Sequence, residues 1–179
     1  RGQRYRNFFY TKICAYYLHR DSFLKIPKIR LFFDLIAMIK KIFDYLILKG
    51  KTISFAESCS GGNLSLSITK IAGASKVFKG SIVSYSTYSK EKVIGIGRNE
   101  IDSFSPVSQE IAVKMAEKVK EKFNSDYSIS ITGNAGPFSD GTRSSVGDCF
   151  IAISSENEIF CEKYEVITSR EDFIKTVTE

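Results

Sequence analysis

The sequence predicts a three-layer α/β/α domain built around a mixed sheet. Three observations carry that prediction. Runs rich in Ile, Val, Phe and Tyr alternate with helix-periodic runs between residues 29 and 132. Two last strand-like runs, 146–154 and 159–167, stand four residues apart, as in a hairpin. The 179 residues, 43% hydrophobic and 26% charged, suffice for one domain with its own core and not for two.

Taken in order, residues 1–28 form a basic, aromatic-rich arm that ends at Pro27 and precedes a domain over 29–179. Residues 29–48 read as a helix, with Leu31, Leu35, Met38, Ile42, Tyr45 and Ile47 at helical spacing. Asp34, Lys40, Lys41 and Asp44 interrupt it, so it is no membrane span, which needs about 20 mostly apolar residues. Gly50 suits its C-terminal cap. A short strand over 52–56 follows, and Gly61-Gly62 open a helix over 63–72. Residues 77–85 have strand character, with Val83 and Tyr85 on one face. Residues 89–94 suggest a short helix. Ser108 is a good N-cap for an amphipathic helix lined by Ile111, Met115 and Val119. A strand over 127–132 ends in Gly133-Asn134-Ala135-Gly136-Pro137, and 138–145 read as a polar loop. After the hairpin, a last helix starts at Arg170.

The formal charge of +6 belongs to the arm. Residues 1–30 hold eight Lys or Arg against one acid, Asp21, and the remainder is close to neutral. A nucleic-acid-binding fold would carry its basic patch on the domain, so nucleic acid is not the expected partner. The arm itself admits three readings: a targeting or surface-binding segment, a start that is not the natural one because residue 1 is Arg, or extra structure packed on the domain. Cys14, Cys59, Cys149 and Cys161 lie far apart with no CxxC pair, which speaks against a zinc set or a disulfide framework and for a reducing, cytoplasmic setting. The one histidine, His19, sits in the arm. A domain without histidine runs no Ser-His-Asp or Cys-His chemistry and builds no histidine metal site.

In open α/β sheets, ligands bind beyond the carboxyl ends of the strands. The three strand ends here deliver Ser58, Tyr85 and Thr132. Ser75, in Gly73-Ala74-Ser75, lies in a helix-to-strand turn. Ser60-Gly61-Gly62 before a helix offers backbone N–H groups to an anion, although such glycines often only make turns. No GxSxG, GxxxxGK[ST] or GxGxxG is present. Without histidine, a serine can be activated by Tyr or Lys, and Tyr85 and Lys90 stand five residues apart. Singly, each has a plainer reading: Tyr85 as a cross-strand aromatic, Lys90 as a solvated lysine, Ser75 as a capping serine.

Five motifs in one order change that balance: AESCSGG (56–62), IAGAS (71–75), VSYSTYSK (83–90), PVSQEIAVKMA (106–116) and ITGNAGP (131–137). Together they resemble the CinA C-terminal domain family, from about residue 29 onward. The resemblance implies a three-layer α/β/α fold, commonly dimeric, and a cytoplasmic, metal-independent amidase that needs no cofactor. Its implied reaction is deamidation of nicotinamide mononucleotide to nicotinate mononucleotide and ammonia, within pyridine-nucleotide recycling. It places the nucleophile on Ser75, its base on Tyr85 and the supporting lysine on Lys90. Ser58 and Thr132 match hydroxyl positions suited to the oxyanion. Gly61, Gly62, Gly133 and Arg170 match positions that would hold the nucleotide and its phosphate. The chain departs from the family at Arg143-Ser144-Ser145-Val146-Gly147, where Lys-Pro-Val-Gly is usual, and at Asn134, where an apolar residue is usual. The last helix also reads as short. The alternative reading is a catalytically silent relative that acts as a binding or competence- and damage-associated protein.

Overall fold

The computed structural model describes residues 34–138 and 143–178. The basic arm, with His19 and Cys14, lies outside the described residues, as does the first part of the helix expected over 29–48. The described part of that helix is α1, Asp34–Lys49.

Five strands form one sheet: β1 (Ile53–Glu57), β2 (Phe78–Val83), β3 (Tyr127–Gly133), β4 (Asp148–Ser154) and β5 (Ile159–Glu165), in the order β2-β1-β3-β4-β5. β2, β1 and β3 run parallel, while β4 and β5 are antiparallel additions, so the sheet is mixed. The carboxyl ends of β1, β2 and β3 therefore share one edge with the start of β4. The helix after β1, α2 (Asn63–Thr69), is shorter than expected. It stops where the chain turns through Gly73, whose φ of 85° is open to glycine at little cost. A 3-10 turn, Ala74–Lys76, then leads into β2. After β2, one α-helical turn, α3 (Thr87–Ser89), runs into a π-wound turn, Lys90–Ile94. The sequence reading missed α4 (Arg98–Phe104). It has seven residues and buries only Ile101, too little for a visible period. α5 (Gln109–Phe123) is capped by the Ser108 hydroxyl, which accepts from the Ile111 N–H. α6 (Arg170–Thr176) closes the described chain.

The two faces of the sheet are built from different residues because strand side chains alternate. On one face, Phe55, Ile129, Ile131, Ile151 and Ile153 pack against Phe43 and Leu46 of α1, Leu64 and Ile68 of α2, and Phe173 of α6. On the other, small residues let α5 approach closely. Ala152 meets Ala112 and Ala116, and Ala56 lies in the cluster around Ile111 and Met115. The hydroxyls on this face are met by backbone carbonyls. Ser128 donates to Ala116 at 2.6 Å, Ser130 to Ala112 at 2.5 Å, and Thr132 to Pro106 at 2.9 Å. A buried hydroxyl needs such a partner, and each donation ties the sheet to the helix or to the loop before it.

Candidate active site

The loop after β1 carries the AESCSGG motif and is organised by a buried carboxylate. Glu57 ends β1 and is fully buried. Its Oε2 accepts from the Ser60 hydroxyl at 2.8 Å and from the N–H groups of Gly62 at 3.0 Å and Leu64 at 3.1 Å. Its Oε1 accepts from the Ser65 N–H at 2.9 Å and from the Ser65 hydroxyl. A carboxylate held by N–H groups at the start of a helix is favoured by their dipoles. Sequence reasoning quoted Glu57 without assigning it a role. The available signal was an acid just ahead of a glycine pair and a helix.

Gly61 and Gly62, expected to hold the phosphate, have partners within the chain here. The Gly62 N–H points to Glu57, and the Gly61 N–H donates to the Ser58 carbonyl at 3.1 Å. The anion at this helix start is the chain's own. Gly133 also has a packing reason. A Cβ there would lie 2.8 Å from the Asp148 carbonyl oxygen and 3.1 Å from Cys59 Sγ.

Ser58 and Lys90 come together. Lys90 begins the π-wound turn and is only 2% exposed, contrary to its plain reading as a solvated lysine. Its Nζ donates to Ser58 Oγ at 2.8 Å and to the Ser84 carbonyl at 2.9 Å. Ser84 is in turn pinned, its N–H donating to the Glu57 carbonyl at 2.7 Å. Tyr85, just past β2, is 57% exposed and takes its hydrogen bond from Arg170, not from a serine. The other arm of the Arg170 guanidinium donates to the Gly136 carbonyl at 2.7 Å. The last helix therefore ties the ends of β2 and β3 together.

The two other expected participants are Thr132 and Ser75. Thr132 is at the right edge, but its single O–H is committed to the Pro106 carbonyl, so it is not a ready donor for an oxyanion. Ser75 is exposed on the 3-10 turn that precedes β2, whereas Tyr85 follows that strand. At about 3.3 Å per residue, β2 alone puts roughly 17 Å between those two ends. Within one chain, Ser75 therefore lies at the opposite edge from Ser58, Tyr85 and Lys90.

Among the described residues, no group of three His, Cys, Asp or Glu could hold a metal ion, and no helix is long and apolar enough to cross a membrane. An open cleft of about 370 Å³ lies beside the loop, lined by Ser60, Asn63 and Leu66 with Glu171, Ile174 and Lys175 of α6.

Comparison with known proteins now identifies the scaffold. The CinA C-terminal domain family profile matches residues 36–179. The chain belongs to the CinA C-terminal domain family. A CinA-like protein of Flavobacterium psychrophilum is 45% identical over 126 residues, which cover 70% of this chain and 30% of the relative. One from Thermosipho melanesiensis is 36% identical over 84% of this chain and 39% of its own length. The chain thus spans about a third of the length of these relatives. In fold, it is similar to the competence-damaged protein (CinA) superfamily protein from Enterobacter cloacae, with a TM-score of 0.78 at 23% identity over 88% of this chain and 92% of the other. The competence/damage inducible protein CihA from Agrobacterium tumefaciens gives 0.77 at 24% identity over 87% and 93%. The resemblance drawn from the five motifs is confirmed, and so is the mixed-sheet α/β fold of this CinA-family domain.

Proposed function

We propose that this CinA-family domain is an amidase that deamidates nicotinamide mononucleotide to nicotinate mononucleotide and ammonia. The observation that supports it best is the buried contact between Lys90 Nζ and Ser58 Oγ at the carboxyl edge of the sheet. A lysine kept from water is a known form of general base, and a serine beside such a base is a nucleophile. In this reading Lys90 is the general base for Ser58. Its N–H groups hold the Ser84 carbonyl while its lone pair takes the Ser58 proton. Ser58 Oγ attacks the carboxamide carbon. Lys90 returns the proton to the departing nitrogen, ammonia leaves, and water resolves the acyl-enzyme by the same route. Arg170, beside Tyr85, supplies the cation for the phosphate of the nucleotide.

The reading moves the nucleophile from Ser75, where the family resemblance put it, to Ser58. Within one chain Ser75 stands before β2, at the edge away from this serine–lysine contact. The test is ammonia release from nicotinamide mononucleotide by the wild type, Ser58→Ala, Lys90→Met and Ser75→Ala, each checked for folding. Ser58→Ala and Lys90→Met should each lower kcat by about 10³ or more, and Ser75→Ala by less than about fivefold. Loss in Ser75→Ala with activity retained in Ser58→Ala would return the nucleophile to Ser75. A folded wild type that releases no ammonia would favour the silent binding protein.

A further inference from the structure

The carboxyl edge of the sheet holds one buried amide donor with no partner, and we propose that it reads the carboxamide oxygen of the substrate. The donor is Asn134 Nδ2, and the proposal rests on the amidase reading above.

Asn134 is 6% exposed and held on three sides. Its N–H donates to the Asp148 carbonyl at 2.8 Å, and its carbonyl accepts from the Gly147 N–H at 2.8 Å. Its Oδ1 accepts from the Gly136 N–H at 3.1 Å, which fixes the other end of the side chain as the amide nitrogen. That nitrogen has no hydrogen-bond partner among the described residues. Buried donors are nearly always paired, so an unpaired one at a ligand-binding edge is met by a water or by a ligand atom. Among the described residues, the one other buried side-chain atom without a partner is Ser105 Oγ, just before Pro106.

The position fits an acceptor on the substrate. Asn134 follows Gly133, whose Cβ site is 3.1 Å from the sulfur of Cys59, the neighbour of Ser58. It also fixes Gly136, whose carbonyl anchors Arg170. Asn134 is thus linked through Gly133 to the loop that carries Ser58, and through Gly136 to Arg170. The Thr132 hydroxyl, expected to serve the oxyanion, is spent on Pro106, and the Ser58 hydroxyl faces Lys90. A neutral, preorganised N–H suits a carbonyl oxygen that gains charge as the serine attacks.

Asn134→Asp separates this role from a structural one. It keeps the size and the oxygen that receives the Gly136 N–H, and turns the donor into an acceptor. Near neutral pH, kcat for ammonia release from nicotinamide mononucleotide should fall by about 10² to 10³, with KM changed by less than about threefold. The ratio of variant to wild-type kcat should rise on acidification, as the protonated carboxyl regains a donor. If the aspartate variant does not fold, Asn134→Ala is read by the same kcat criterion. An active wild type whose variant keeps kcat within about threefold, or loses only through KM, overturns the inference alone. A wild type that releases no ammonia overturns the amidase reading, and this inference falls with it.

Discussion

At the carboxyl edge of the sheet, Lys90 is buried against a serine hydroxyl and a backbone carbonyl. At the amino edge, Lys51 is half-exposed and pairs with a carboxylate, Asp126, at 2.7 Å. The same residue type does different work in the two places. The hydrogen bond and charge of Asp126 raise the affinity of Lys51 for its proton, so Lys51 stays a cation and ties strands together. Lys90 begins the π-wound turn, is buried, and sits on a hydroxyl with chemistry to offer. Serines divide in the same way. Ser58 is buried at the carboxyl edge beside Lys90, while Ser75 is exposed at the other edge. A serine in a motif is thus not assigned by its motif alone. Its edge of the sheet decides which base it can meet.

The sharpest way to break this comparison is at Glu57, which holds the carboxyl-edge loop in shape. Glu57→Ala leaves three backbone N–H groups and two hydroxyls without their acceptor. Each buried unmet donor costs about 1–3 kcal/mol, and with partial relaxation the whole should cost on the order of 4 kcal/mol. Urea unfolding should report that loss, and ammonia release should fall with it as Ser58 loses its place. Stability unchanged within about 1 kcal/mol would show that the loop keeps its form without the carboxylate.

Next in size is Gly133→Ala. The new methyl would meet the Asp148 carbonyl oxygen at 2.8 Å, and a backbone atom cannot step aside as a side chain can. Overpacking of this kind costs about 1–3 kcal/mol. A shift in the unfolding midpoint at constant slope is the expected result, and a neutral substitution would mean that β3 and β4 can part locally.

Much of the fold was legible because it is written in periodicity. The α5 face of Ile111, Met115 and Val119, the Ser108 cap and the final hairpin all stand where the pattern put them. Membership of the CinA family was legible in five short motifs. What pattern could not carry was contact across the sheet. Tyr85 and Lys90 are five residues apart, yet Lys90 donates to Ser58 and Ser84, and Tyr85 accepts from Arg170, far along the chain. Thr132 was placed at the correct edge, but the carbonyl that takes its hydroxyl lies 26 residues away. Gly61-Gly62 has the composition of an anion site. Only the course of Glu57 shows that the anion is internal.

The smallest effect belongs to the amino edge, and its pH dependence tells whether that edge is purely structural. Asp126 accepts from the Thr52 N–H at 2.8 Å, from the Thr52 hydroxyl at 2.8 Å and from Lys51. Partial burial disfavours its charge, but the hydrogen bonds from Lys51 and Thr52 and the Lys51 charge outweigh that and hold its carboxyl below the usual carboxylate range. A carboxyl depressed in the folded state stabilises the fold above its unfolded value of about 3.9, and loses that contribution as pH falls through the lower folded value. Asp126→Asn keeps an acceptor for Thr52 and gives up the charge, so it should cost about 1 kcal/mol near neutral pH. The gap between wild type and variant in thermal unfolding should hold steady from pH 8 to about 5 and close only below about 4. Ammonia release near neutral pH should be unchanged, because Asp126 lies at the edge away from Ser58 and Lys90. A loss of activity larger than the loss of stability explains would carry the amino edge, and Ser75 with it, back into the chemistry.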